Sequence, residues 1–140
     1  MSAEALLKKL GMKPERIGRN VARPDALAEI VPLPDLAANE DADVIVAFVT
    51  DVAGVEPMVA EVLPRYCTGA ALWFAYPKKS GSIRTDISRD HGWEPLAMRD
   101  MLPVTQVAID ADWSALRFRR RDEIKTLTRA SDLPGKRPCS

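Results

Sequence analysis

The segment with the most suggestive chemistry follows an apolar run and contains Lys78, Lys79, Ser80, Gly81 and Ser82. Two ammonium groups, two hydroxyls and the backbone N–H groups of a glycine-containing turn are donors that bind phosphate or sulfate. The Gly-Lys-Ser order of a Walker loop is absent, which argues against that nucleotide-binding motif. These residues predict a site for a small anionic ligand. A flexible, solvated crossover loop is the alternative that the same composition favours.

Other polar residues are predicted to lie beside this loop. Thr50 and Asp51 end a second apolar run. Asn20 and Arg23 lie at the end of a further predicted strand, and the 110–112 turn lies at the end of another. Ligands of open α/β sheets bind at the carboxyl ends of strands, so all of these groups are expected at one edge. Each also has a structural alternative, because Thr50 and Asp51 suit helix capping and the aspartates of the turn suit a tight loop.

Residues suited to covalent or acid–base chemistry are few. His91 is the single histidine, and Asp90 is not expected to face it, because adjacent residues on a helix point in different directions. The sequence places no Ser or Cys nucleophile near this pair, so we predict a surface or interface histidine and no catalytic residue. Cys67 and Cys139 do not make a metal site by themselves. We predict free thiols in a reducing compartment and no bound metal.

Aromatic and basic residues have two interpretations each. Trp73, Trp93 and Trp113 fall in separate predicted elements, which indicates packing in the core or under a lid, although Trp113 could stack on a flat ligand. The run from Arg117 to Glu123 combines arginines with an aromatic, as in proteins that bind single-stranded nucleic acid. A strand that leaves the core with its arginines at the rim is the explanation we favour.

The composition, with 46% hydrophobic and 29% charged residues over 140 positions, is that of a globular domain. Lys plus Arg equals Asp plus Glu at 20 each, so no long-range field attracts nucleic acid or an anionic membrane. No signal peptide or transmembrane run of roughly 20 apolar residues is recognisable, and we predict a cytoplasmic protein. We predict one domain over residues 1–128 and a disordered tail over 129–140.

Apolar runs and breakers divide the chain into alternating strands and helices. The runs over 44–49 and 70–76 are typical of strands buried on both faces. The remaining predicted elements are helices over 2–10, 24–31, 55–66 and 85–90, the last resuming over 94–101, and strands over 16–21, 104–110 and 113–119. Such alternation predicts a three-layer, Rossmann-like α/β fold, whose mostly parallel sheet has about five strands including one late antiparallel strand.

The order of these elements resembles the later half of a methyltransferase-type sheet, in which the last strand runs antiparallel between its neighbours. Residues 42–119, most clearly ALWFAYPKK (71–79) and DWSALRFR (112–119), also resemble a family of small bacterial Rossmann-like proteins known as a domain of unknown function. The resemblance implies a shortened methyltransferase-like fold and no particular activity. Methyl-donor sites of this fold need a glycine-rich turn after the first strand. Residues 20–25 contain no glycine, so we predict no cofactor.

These observations favour a small non-catalytic protein that binds a protein partner or a small anionic ligand, with the ligand at 78–82 beside Thr50 and Asp51. The alternative is a minimal transferase-like enzyme that depends on S-adenosylmethionine or a nucleotide bound at the strand ends. A response to the methyl donor would indicate the enzyme, and we expect none. Neither nucleic acid nor a membrane is a predicted partner.

Overall fold

The computed structural model describes residues 3–13, 15–36, 42–66, 70–79, 81–88 and 91–121. The predicted tail over 129–140 and both cysteines lie outside these residues. The described residues form three α-helices, α1 (Ala3–Lys9), α2 (Val52–Val62) and α3 (Glu94–Ala97), and 3-10 turns at Asp25–Leu27 and Leu63–Arg65. They also form five strands, β1 (Gly18–Val21), β2 (Val44–Phe48), β3 (Ala71–Pro77), β4 (Met101–Ala108) and β5 (Trp113–Arg120).

The five strands make one sheet in the order β1-β2-β3-β5-β4. β1, β2 and β3 are parallel neighbours, while β5 is antiparallel to both β3 and β4. β1 to β4 therefore run in one direction and β5 in the other. The carboxyl ends of four strands and the amino end of β5 share one edge of the sheet, which we call the carboxyl edge.

The central strands follow directly from the sequence. Every residue of β2 and β3 is buried, as predicted from two uninterrupted apolar runs, because a strand covered on both faces excludes polar side chains. The predicted hairpin is also confirmed, since β4 and β5 pair in antiparallel register across a short turn. β4 begins at Met101, three residues earlier than predicted.

The predicted three-layer Rossmann-like fold is wrong. Such a fold needs helical crossovers that cover both faces of a parallel sheet. The α-helices of the described residues have 7, 11 and 4 residues, so only α2 exceeds two turns. Two of the four strand pairings are antiparallel, and the sheet is mixed rather than mostly parallel. The structure is a five-stranded mixed sheet with few helices, in which the sheet dominates.

One predicted helix is replaced by a turn, and the side chain before it bonds to backbone carbonyls at and beyond its end. Residues 24–31 form a 3-10 turn over Asp25–Leu27 rather than an α-helix. The stretch is bounded by prolines, and a helix shorter than about 12 residues depends on tertiary contacts. Those contacts favour the turn, since Arg23 Nη1 donates to the carbonyls of Val31 at 2.8 Å and Leu33 at 2.9 Å.

The helix predicted over 85–90 is also absent from the described part of that segment, 85–88. Thr85 Oγ1 donates to the carbonyl of Thr50 at 2.7 Å, and Asp86 Oδ1 accepts from the first N–H of α2 at 2.8 Å. Side chains that bond to backbone groups elsewhere compete with helix formation. The helix predicted to resume over 94–101 is only the single turn of α3.

Each face of the sheet carries its own hydrophobic core. α2 and α3 cover one face, and α1 with the segment 27–33 covers part of the other. Trp73, Trp93 and Trp113 are 1%, 8% and 4% exposed, which confirms the prediction that they pack inside. Trp113 contacts Phe48 edge-on with 5.7 Å between ring centroids, so its indole is not available to stack on a ligand.

Candidate functional site

The loop after β3 lies at the carboxyl edge, where the sequence predicted an anion site. Lys78 is half-buried, Lys79 is exposed, and Ser80 lies outside the described residues. Gly81 N–H donates to the carbonyl of Lys78 at 3.0 Å, which makes the start of the loop a tight turn. Ser82 is exposed.

Thr50 and Asp51 lie at the same edge, where both support the backbone. Asp51 Oδ1 accepts from Gly54 N–H at 2.9 Å and caps α2. The carbonyl of Thr50 accepts from Thr85 Oγ1 at 2.7 Å, which ties the end of the loop to the end of β2. The capping role predicted as the alternative is thus confirmed for Asp51, while Thr50 anchors the loop through its backbone.

Asp112 organises the loop, a role that sequence reasoning missed. Its Oδ1 accepts from Ser82 N–H at 2.7 Å and from Ser82 Oγ at 2.9 Å, and its carbonyl accepts from Lys78 N–H at 2.7 Å. The bonds from the Ser82 N–H and hydroxyl, and to a lesser degree the Lys78 charge, lower the pKa of Asp112. The donors predicted to cradle a ligand at Ser82 therefore already hold a carboxylate of the protein.

Close contact between the loop and the hairpin requires glycine at position 81. A Cβ there would lie 2.8 Å from Asp112 Oδ1 and 2.9 Å from Asp112 Cα. Asp110 supports the other side of the turn, because its Oδ1 accepts from the N–H groups of Asp112 at 2.9 Å and Trp113 at 2.8 Å. Both predicted turn aspartates thus form the turn, and Asp112 additionally holds the loop.

A pocket of about 310 Å³ opens on the loop, lined by Lys79, Arg84, Thr85 and the 81–83 segment. Lys79 and Arg84 are exposed side chains that bring two positive charges to it. Lys78 lies instead beside Asp112, where its charge acts on that carboxylate. The structure thus separates the two lysines that were predicted to act as a pair, and it adds Arg84, which lies in the same loop but was not among the predicted ligand-binding residues.

Two other residues predicted at this edge stabilise the chain after β1. Asn20 is fully buried, and its Nδ2 donates to the carbonyls of Leu33 and Pro34, the latter at 3.2 Å. Arg23 bonds to carbonyls of the same segment. Both side chains hold backbone groups, which explains them without a ligand.

The remaining sequence candidates also have structural roles. His91 is exposed, and its backbone forms a bridge with Ser88, while Asp90 lies outside the described residues. In the basic run, Phe118 is fully buried and the Arg120 guanidinium lies 5.2 Å from the ring centroid of Tyr66. This arrangement agrees with a strand that leaves the core.

The Asp112 carboxylate makes the loop sensitive to acid. Its pKa in the folded protein lies below the ordinary value of 3.8, so the charged form is favoured by folding. Its contribution is therefore present above the ordinary pKa and is lost as the pH falls through the folded pKa. We expect Asp112→Asn to be less stable than wild type at about pH 7, with a difference that shrinks in acid. Urea unfolding over a pH series measures this, and a constant difference would contradict it.

Comparison with protein-family models, curated proteins and solved structures finds no match to this chain. Among the residues that the structure describes, no three His, Cys, Asp or Glu side chains gather in a metal-binding arrangement. Within the same residues, no helix combines the length and the apolar character needed to cross a bilayer.

Proposed function

We propose that this chain is a non-catalytic binding protein for a small anionic ligand, held in the pocket on the loop after β3. The observation that carries the proposal is that Lys79 and Arg84 both line one pocket of about 310 Å³. An ammonium and a guanidinium supply charge-assisted hydrogen bonds to phosphate, sulfate or carboxylate oxygens. The volume lies at the small end of ligand sites, which favours a compact ligand.

The rest of the loop supports binding by keeping the pocket in shape. Asp112 holds Ser82 from one side, and Thr50 holds Thr85 from the other. A loop tied at both ends loses less conformational freedom when a ligand arrives, which strengthens binding. Binding rather than catalysis is proposed because the charged groups of the lining are the Lys79 ammonium and the Arg84 guanidinium, which donate hydrogen bonds to an anion.

The ligand class is tested by calorimetric titration and thermal shift with inorganic phosphate, pyrophosphate, sulfate, AMP and S-adenosylmethionine. A ligand at a hundred times its dissociation constant stabilises the folded state by about 2.7 kcal/mol. We expect a response to the inorganic anions. A response to S-adenosylmethionine alone would overturn the proposal in favour of a transferase-like enzyme, and no response to any compound would also overturn it.

The double substitution Lys79→Ala with Arg84→Ala is expected to weaken the binding of inorganic phosphate by at least about tenfold, because each side chain supplies a charged donor. Its melting temperature should stay close to that of wild type, since exposed charges contribute little to stability. The matched control is Lys8→Ala with Lys13→Ala, which removes the same charge from exposed residues that line a different pocket, beside α1. Equal affinity in the two double variants would exclude the loop as the site.

A further inference from the structure

β4 forms an open edge of the sheet. It pairs with β5 on one side, and no described strand lies on its other side. The opposite edge of the sheet is occupied. There the backbone N–H of Asn20 in β1 donates to the carbonyl of Pro34, and the backbone carbonyl of Asn20 accepts from Leu36 N–H, both at 2.9 Å. Within the described residues, the backbone groups on the outer side of β4 are thus available to another strand.

β4 is also exposed on both faces and carries no charge. Pro103, Val104, Thr105 and Gln106 are exposed in succession, and successive residues of a strand point to opposite faces. Val104 is 42% exposed although its side chain is apolar. The strand sequence MLPVTQVA contains no Lys, Arg, Asp or Glu, whereas exposed edge strands are commonly protected by charged side chains.

Only the second half of β4 is regular enough to accept another strand. Pro103 has no N–H, and the register with β5 shifts between Pro103 and Thr105, so the first half is unsuited to pairing. Ile109 N–H donates to the carbonyl of Trp113 at 3.0 Å and thus points toward β5. Since amides alternate along an antiparallel strand, the N–H groups of Gln106 and Ala108 point outward.

We propose that β4 pairs in antiparallel orientation with β4 of a second copy of this chain, around a twofold axis at Val107. This register places Gln106 opposite Ala108 of the second copy and uses both outward amides of each chain. Four hydrogen bonds result, and the irregular first half stays outside the paired residues. The two sheets become one sheet of ten strands.

A second copy is the occupant that the charges favour. Twofold symmetry places β4 beside β4 of the second copy. A charged residue near the axis would therefore lie close to the identical residue of that copy and be repelled by it. The absence of charge on β4 removes that repulsion. In this register Asp110, the nearest charged residue after β4, lies opposite Val104 of the second copy.

The expected association is weak and reversible. A contact made by strand edges is smaller than the roughly 1,200–2,000 Å² of stable interfaces, so we expect a dissociation constant on the order of 100 µM. In sedimentation equilibrium, the average mass should rise with concentration from the 15.4 kDa of one chain toward twice that value. A constant mass up to about ten times that dissociation constant would overturn the proposal.

Ala108→Pro is expected to weaken the dimer by at least about tenfold, because it removes one outward donor from each chain. No bond to β5 is lost, so the thermal unfolding of the variant should remain cooperative. The control is Ala53→Pro in the first turn of α2, where proline is tolerated. Dimerisation that Ala108→Pro leaves unchanged would overturn the proposal.

A cross-link tests the register independently of stability. In a background with Cys67→Ser and Cys139→Ser, Val107→Cys should form a disulfide-linked dimer under mild oxidation, because residues opposite each other in a non-hydrogen-bonded pair have Cα atoms about 4.5 Å apart. Ala108→Cys is the control and should not cross-link, since its symmetry mate is displaced along the strand. The reverse outcome, or equal cross-linking of both variants, would overturn this register.

Discussion

Trp73→Ala is expected to reduce the free energy of unfolding by about 3–5 kcal/mol, the range for removing a large buried aromatic side chain. Trp73 is 1% exposed at the centre of β3, where α1 covers it. Its Nε1 also donates to the carbonyl of Leu10 at 2.8 Å, so the substitution removes both core volume and the bond that holds the end of α1. Because domains of this size are stable by roughly 5–15 kcal/mol in total, the variant should lose much of its stability.

Two further variants separate the contributions of Trp73. Trp73→Phe keeps an aromatic ring but loses the donor, and we expect a loss of about 1–3 kcal/mol from the unpaired carbonyl and the smaller ring. Met98→Ala is the control, because Met98 is 80% exposed and a surface change there should stay within about 0.5 kcal/mol. Urea unfolding followed by circular dichroism measures all three. A loss below about 1 kcal/mol for Trp73→Ala would show that α1 does not pack on β3 as described.

Gly81→Ala is expected to cost about 1–3 kcal/mol, the usual effect of inserting a methyl group where there is no space. The added Cβ would lie 2.9 Å from Asp112 Cα, and a backbone atom of the hairpin cannot rotate away as the end of a side chain can. The loop and the hairpin must therefore move apart, which lengthens the Ser82 to Asp112 bonds. We also expect inorganic phosphate to bind at least about tenfold more weakly, since the pocket loses its shape.

The control for the glycine substitution is Ser82→Ala. It removes the hydroxyl bond to Asp112 but keeps the bond from the backbone N–H, so a cost of about 0.5–1.5 kcal/mol is expected. Urea unfolding and phosphate titration of both variants give the comparison. If Gly81→Ala were as stable as wild type, the close approach between the loop and the Asp112 backbone would be incorrect.

The parts of the structure that were predictable from the sequence depend on neighbours along the chain. The apolar runs of β2 and β3 are long enough to indicate burial on both faces, whatever covers them. The short spacing between β4 and β5 indicated a hairpin, and Asp51 was recognisable as a helix cap because its partner, Gly54, is three residues away. These are local relations, which periodicity and turn chemistry describe well.

The helices were predicted less well because hydrogen bonds to residues outside each segment decide their conformations. Residues 24–31 and the 85–88 segment have a composition compatible with helix, but their conformations are set by bonds from Arg23 and to Thr50. Thr85 and Thr50 are separated by 35 positions. No local pattern reports such a contact, and short helices depend on their surroundings. The three-layer fold was therefore overpredicted.

For the candidate site, the sequence determined that a cationic, glycine-containing loop follows a buried strand, and that Thr50, Asp51 and the hairpin turn would share its edge. Tertiary structure alone decided how those groups are used. Asp112, 30 positions from Ser82, takes the donors that composition assigned to a ligand, and it leaves Lys79 to line the pocket with Arg84. The physical reason is that residue type determines which hydrogen bonds a side chain can make. The three-dimensional arrangement determines which partner lies within bonding distance of it.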